Sequence, residues 1–404
     1  MKSFNIPSFY RSPLISKIKQ TRKDQDRLKK DFSPTLLDFG SLHVYLARHF
    51  GFCYGVENAI EIAFQTVEEN PGKRIFLLSE MIHNPQVNAD LVKHGVGFIM
   101  DTKGKMIIPW SELTPNDIVI IPAFGTTLET EQTLRDAGID PLQYNTTCPF
   151  VEKVWNRSEQ IGRKGYTIII HGKPGHEETR ATFSHSSHIA PSVVVRDLEE
   201  AKKLEKYIRK ECQANDFFTE FADQFTPGFN PETDFDRIGV VNQTTMLASD
   251  TQEISDYLRQ VMMDFYQLPE SQITEHFADT RDTLCYATND NQTAVRELLH
   301  TQADFALVVG GYNSSNTSHL VELCEQKLPT YFIENETNLL SLDCIRHYSL
   351  HSHSELESAP FLSSTKPVKI LLTSGASCPD AVVERVIARI HELLQPKISM
   401  LDVM

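Results

Sequence analysis

Three cysteines, Cys53, Cys148 and Cys285, each open the same kind of unit. An amphipathic helical stretch follows each one, then an apolar strand, then a loop of polar residues. The offsets from cysteine to loop are nearly constant: 30 residues to His83, 28 to His176 and 29 to Ser314. A second strand completes each unit and ends in small polar residues. Strands alternating with helices predict an α/β protein with largely parallel sheets. In such sheets the functional edge lies where strands end at their carboxyl side, and all these polar loops fall there. Three copies of one βα design, each with a thiol at one end, point to three thiolates converging on one inorganic centre.

The first unit turns at Gly51-Phe52-Cys53, after a strand expected over 43–50. Val56, Ala59, Ile60, Ala63, Phe64 and Val67 then recur at helical spacing. A strand at 75–78 leads into Ile82-His83-Asn84-Pro85, and a second at 118–121 closes at Ala123-Phe124-Gly125-Thr126. In the second unit Pro149 follows Cys148 and suits the first position of a helix. Strands at 166–170 and 239–241 end at the loops carrying His176 to Thr179 and Asn242 to Thr245. The third unit places Asp282-Thr283-Leu284 before Cys285, and strands at 305–309 and 370–373 before Gly310–Asn316 and Ser374–Ser377. The expected partition is an extension over 1–40, a first α/β lobe over 41–146 and a second over 147–282, with a third over 283–404. The second lobe carries an insertion at about 203–236, expected as a helical pair with a loop. Residues 17–30, rich in Lys and Arg, read as a solvated helix, with structure proper starting near residue 43.

The net charge of −15 argues against nucleic acid and anionic membranes as partners. It also requires that an anionic substrate be held by local donors. No apolar run reaches the roughly 18–20 residues of a membrane span. Seven cysteines without a CxxC pair and no apolar leader predict a reducing compartment. The cytoplasm is expected, with the plastid stroma as the alternative.

A cysteine at a strand end is by itself most often a small buried hydrophobe. Three at matched positions in a repeated unit are better explained as ligands. Zinc would call for a fourth ligand close in sequence, and none is present. Three thiolates suit an iron–sulfur cluster with one iron left open for substrate. Cys212, Cys324, Cys344 and Cys378 do not follow the pattern. Gly310–Asn316 follows an apolar strand and opens a helix, so its N–H groups and hydroxyls form an anion cradle rather than a mere cap. His83 and His176 stand at equivalent positions and read as donors to the same anion. Glu178 is the carboxylate of the set and reads as a proton donor. Gln243, Thr244 and Ser377 complete a hydrogen-bonded ring, though each is an ordinary turn residue when taken singly.

Together these motifs resemble the 4-hydroxy-3-methylbut-2-enyl diphosphate reductase family, over about residues 44–390. The resemblance rests on Gly51-Phe52-Cys53-Tyr54-Gly55-Val56, Ile82-His83-Asn84-Pro85-Gln86-Val87-Asn88, Thr146-Thr147-Cys148-Pro149 and His176-Glu177-Glu178-Thr179. It continues through Asn242-Gln243-Thr244-Thr245, Asp282-Thr283-Leu284-Cys285, Asn313-Ser314-Ser315-Asn316 and Ser374-Gly375-Ala376-Ser377. It implies three α/β lobes in pseudo-threefold arrangement around a 4Fe-4S cluster bound by Cys53, Cys148 and Cys285. The substrate hydroxyl would meet the open iron, and the diphosphate would sit among His83, His176, Ser314, Ser315, Asn316 and Ser377. Glu178, aided by Thr244 and with His176 nearby, would supply protons, and a ferredoxin- or flavodoxin-like donor would supply two electrons. Two departures stand out: Phe124 replaces a histidine of many bacterial members, and Asn58 replaces a common arginine. Phe124, the basic extension and the insertion resemble the plant and cyanobacterial-like branch.

Two other readings are open on the residues alone. One is another cluster-dependent reductase or dehydratase of a small anion, separated by whether activity demands a diphosphate and a reductant. The other is an iron–sulfur or zinc protein used for sensing or scaffolding, in which the Glu178 and Ser315 loops would be dispensable.

Overall fold

The computed structural model describes residues 4–278, 283–359 and 367–400. Asp282 lies outside the described residues. The chain forms two compact units, one from Met1–Phe64, Ile82–Asp90 and Tyr286–Met404, the other from Gln65–Met81 and Leu91–Cys285. The α/β class expected from the alternation of strands and helices is the observed one.

The first unit is built on a seven-stranded sheet. Its centre is parallel, with Leu42–Leu46 beside Val368–Ser374, then Phe305–Val309, then Thr330–Ile333. The register sets Ile370 against both Val44 and Phe305. These strands are apolar almost throughout because helices cover both faces, which is why period-two alternation is missing from their sequence. The strand Leu42–Leu46, placed by the sequence in a lobe over 41–146, is thus hydrogen-bonded to the strand preceding Ser377. The outer strands Thr35–Asp38, Ile345–Ser349 and Ser354–Ser358 are antiparallel additions. The helix Asp380–Leu394 lays Val382, Val383, Val386, Ile387 and Ile390 into the core at helical spacing.

The N-terminal segment corrects two expectations. Structure begins well before residue 43, and the basic helix spans Pro13–Gln25 rather than 17–30; residues 17–25 are helical and largely solvated as expected, but the helix starts earlier on a buried first turn. Ser12 caps it, accepting the Ile15 N–H at 2.8 Å, and Pro13 takes the first position. Tyr10, Leu14 and Ile15 are buried, and the Tyr10 hydroxyl donates to Asp90 at 3.1 Å. A few adjacent anchors dock this helix, so no long apolar stripe announced it.

The second unit holds two three-stranded parallel sheets, Val96–Phe98/Ile75–Leu77/Ile118–Ile120 and Ser192–Val195/Thr167–His171/Ile238–Asn242. The insertion contains the helix Ala214–Glu220 after the end of Leu198–Ile208, as expected of a helical pair. Its phenylalanines are core: Phe217, Phe221, Phe229 and Phe235 pack with Val193, Ile254 and Leu258. Burying each such ring contributes roughly 1.5–3 kcal/mol, which makes the insertion part of this sheet's support.

Candidate active site

In the first unit, Cys53 follows the strand Leu42–Leu46 and immediately precedes the helix Tyr54–Glu69. Its N–H donates to the Ala376 carbonyl at 3.2 Å and its own carbonyl accepts from Glu57 at 3.0 Å. The thiol is therefore carried on backbone stitched to the loop that ends the neighbouring strand. Gly51, two residues earlier, has φ of 78°, a conformation that favours glycine.

The same loop edge gathers the anion donors. Ser314 caps the helix Ser315–Glu325, accepting from the Thr317 N–H and hydroxyl. Asn316 has its amide oriented by the Ala376 N–H, which donates to Oδ1 at 2.9 Å. That bond leaves the Asn316 Nδ2 hydrogens directed elsewhere, and Nδ2 is buried without a partner in this structure. The Ser315 Oγ is likewise buried and unpartnered, with the residue 3% exposed. Unsatisfied buried polar atoms are costly, about 1–3 kcal/mol each, and mark a place where another group belongs. Ser377 donates to the His83 carbonyl at 3.1 Å, which ties two further predicted residues together. A Cβ at Gly311 would stand 2.6 Å from that same His83 carbonyl, so only glycine permits this approach. His83, Ser314, Ser315, Asn316 and Ser377 are thus brought to one edge, together with Cys53.

In the second unit, Cys148 caps the helix Pro149–Gly162, with Pro149 at its first position as expected. Its N–H donates to the Ala123 carbonyl at 2.9 Å. Burial above all pushes the Cys148 thiol up to about 12, and the charges of Cys285 and Glu178 add to this against opposing backbone N–H groups. Cys148, Cys285 and Glu178 therefore share one electrostatic neighbourhood. A thiolate there needs a cationic counterpart, which suits iron. Among the described residues no three His, Cys, Asp or Glu side chains are close enough to share one metal ion. A cubane cluster asks for less, since each thiolate binds a different iron.

His176 caps the helix Glu177–Ser187, its Nδ1 accepting the Glu178 N–H at 3.2 Å. With Nδ1 accepting, the neutral ring carries its proton on Nε2. Glu178 is 1% exposed and accepts the Thr244 N–H on Oε1. Gln243 accepts from the Thr179 hydroxyl at 2.9 Å and from the Lys173 N–H at 3.2 Å, bracing the two strand-end loops. Phe124 meets the His176 ring edge-on, with centroids 5.8 Å apart at 84°. Nothing in the structure explains Asn58.

Sequence reasoning did not single out three supports. Asn145 accepts the Thr147 N–H at 2.9 Å just before Cys148. Thr283 donates to Asn242, fixing the approach to Cys285. Ser79 donates to Glu177, the neighbour of Glu178. Thr283 lies inside a quoted motif and Asn145 immediately precedes one, so a search for capping side chains beside each cysteine would have found them.

The chain matches the family described as LytB protein over residues 44–391. A relative from Picosynechococcus sp., named 4-hydroxy-3-methylbut-2-enyl diphosphate reductase, is 39% identical over 97% of this chain and 92% of its own length. One of the same name from Synechococcus sp. is 40% identical over 88% and 87% respectively. A solved reductase of this substrate, titled the terminal enzyme of the non-mevalonate pathway, has a TM-score of 0.51 at 24% identity, covering 86% of this chain and 99% of its own. The Plasmodium falciparum enzyme gives 0.62 at 21% identity, covering 86% and 87%. At those identities the structures bear on the fold alone. The family match spans most of the chain, the relatives are covered over most of their own length, and the chain belongs to the LytB family.

Proposed function

We propose that the chain reduces 4-hydroxy-3-methylbut-2-enyl diphosphate to isopentenyl and dimethylallyl diphosphate, the last step of the methylerythritol phosphate route to isoprenoids. The observation carrying this reading is the 39% identity, along 97% of the chain, to a relative of that name. In this proposal Cys53, Cys148 and Cys285 hold a 4Fe-4S cluster, loaded and reduced in the cytoplasm by a ferredoxin- or flavodoxin-like donor. When bound, the cluster would relay the donor's two electrons one at a time and would offer Lewis-acid assistance to the leaving oxygen.

The chain's own residues supply the rest. Ser315 Oγ and Asn316 Nδ2, otherwise unpartnered, donate to diphosphate oxygens, with Ser314 holding the helix start and Ser377 and His83 closing the edge. Helix N–H groups add a fixed partial positive charge there. The proton on His176 Nε2 gives a further donor. Hydroxide is a poor leaving group and water a good one, so a proton must reach the substrate oxygen as its C–O bond breaks, and a second proton must reach carbon, with the two electrons, to form the C–H bond of the product. Glu178 is the donor in this reading. Its Oε1 accepts the Thr244 N–H, which orients the carboxyl toward that task. Burial keeps bulk water from exchanging that proton freely.

The test is anaerobic purification, an iron and sulfide count, an absorption spectrum and a turnover assay with a chemical reductant. A cluster-loaded protein that leaves the substrate unchanged would end the proposal. Cys148→Ser should yield protein without the brown chromophore, and full cluster content in that variant would remove Cys148 as a ligand.

A further inference from the structure

The anion loop is interrupted by a large ring. Tyr312 lies between Gly311 and Asn313, two residues before Ser314. It stacks on Tyr348 with centroids 4.7 Å apart at 17°, and meets Phe332 edge-on at 5.1 Å. Its hydroxyl donates to Glu355 and accepts from the Asn338 amide, each at 3.2 Å. Its backbone N–H is held by the Glu334 carboxylate. The ring is therefore fixed on its face, its edge, its hydroxyl and its main chain.

Tyr348 and Glu355 come from the hairpin of Ile345–Ser349 and Ser354–Ser358, and the register sets these two residues directly opposite one another. One rung thus supplies both the stacking face and the hydroxyl partner. The rest of the hairpin is largely exposed, including Leu356 at 44%, so it contributes little to the core. On the other side of the ring, Ser314 donates its N–H to the Gly311 carbonyl at 3.0 Å, and Gly311 is pressed against the His83 carbonyl. A shift of Tyr312 is transmitted through this turn to Ser314, Ser315 and Asn316.

The geometry points to the 345–358 hairpin as a brace that acts through Tyr312 to hold the diphosphate-binding loop in its donor-presenting form. This rests on the function proposed above, and Tyr312 is a positioning residue whose ring need not touch the substrate. Diphosphate is bound in ground and transition states alike, so loosening the loop should raise KM and leave kcat unchanged.

The experiment compares cluster-loaded wild type with Tyr348→Ala, Tyr348→Phe and Tyr312→Phe, reading KM, kcat, iron content and inhibition by inorganic pyrophosphate. Losing an aromatic stack should raise KM and the pyrophosphate inhibition constant together in Tyr348→Ala, by roughly three- to tenfold. Tyr348→Phe, which keeps the stack, should restore both constants. Unchanged constants in Tyr348→Ala overturn the brace. Should that variant fold poorly or lose iron, Tyr312→Phe carries the same test, because it removes only the hydroxyl's two bonds. A smaller parallel rise there supports the brace, and wild-type constants overturn it. A wild type that does not turn over would sink the reductase reading instead; the brace is then judged by equilibrium binding of pyrophosphate to the same variants.

Discussion

Glu178 shows how a single residue is made useful by what holds it. The side chain is fully enclosed, the Thr244 N–H takes Oε1, and its own N–H is turned toward His176 Nδ1. One oxygen is thereby fixed as an acceptor, which sets the orientation of the carboxyl. Glu178→Gln keeps the size and the acceptor but removes the acid. We expect the variant to bind its cluster with an unchanged spectrum while kcat falls by about 10²–10⁴. Turnover within a few-fold of wild type would assign the proton to another group. The sequence singles out the three cysteines and both histidines by their matched positions in a repeated unit, and Glu178 by its place two residues beyond His176. Asn145, Thr283 and Ser79 were not legible there: the Asn145 bond is a single local turn, and the Thr283–Asn242 and Ser79–Glu177 bonds join residues far apart in the chain, so none leaves a periodic trace.

Among the elements, legibility followed length. The helix Tyr54–Glu69 declares its apolar face over several turns, whereas Val96–Phe98 is a three-residue strand indistinguishable from a loop. The basic helix is displaced from its expected bounds for a different reason: its charge is conspicuous, and only Ser12-Pro13 marks the true start. Short strands need other fastenings, and Asp117 is one. It precedes the strand Ile118–Ile120 and accepts from Arg74, which precedes Ile75–Leu77, at 2.8 Å, and from the Thr114 N–H at 2.7 Å. Burial alone would raise this carboxyl, but the Arg74 and Thr114 hydrogen bonds outweigh it and hold the carboxyl below its usual range. Asp117→Asn should cost about 1–3 kcal/mol at neutral pH, read as a lower Tm. Because the folded state favours the carboxylate, that contribution is present above the unfolded value of 3.8 and lost as pH falls through the folded one. The Tm gap between wild type and variant should therefore hold from pH 8 to 6 and close toward pH 3. A gap that widens in acid would contradict this account of the pair.

At the scale of the whole molecule the charge of −15 opposes the approach of any diphosphate. The composition made this conflict visible, but not its resolution, which lies in neutral groups placed by the fold. Ser315 Oγ and Asn316 Nδ2 are buried and unpartnered, at the start of an 11-residue helix whose first N–H groups face the same edge. Phe124, which meets the His176 ring edge-on, adds no cationic group of its own. Salt therefore acts mainly on the long-range repulsion, whose screening length falls from ~30 Å at 0.01 M to ~8 Å at 0.15 M. Attraction by buried, neutral donors is screened far less. We expect the dissociation constant of inorganic pyrophosphate, measured by equilibrium dialysis on the cluster-loaded protein, to stay level or fall as sodium chloride rises across that range. A cradle dependent on cationic side chains gives the opposite sign, so a several-fold weakening would show that His83 and His176 bind as cations and that the neutral donors are secondary. Dialysis is the right measurement, because a turnover assay with a protein donor would mix this effect with the salt dependence of electron delivery.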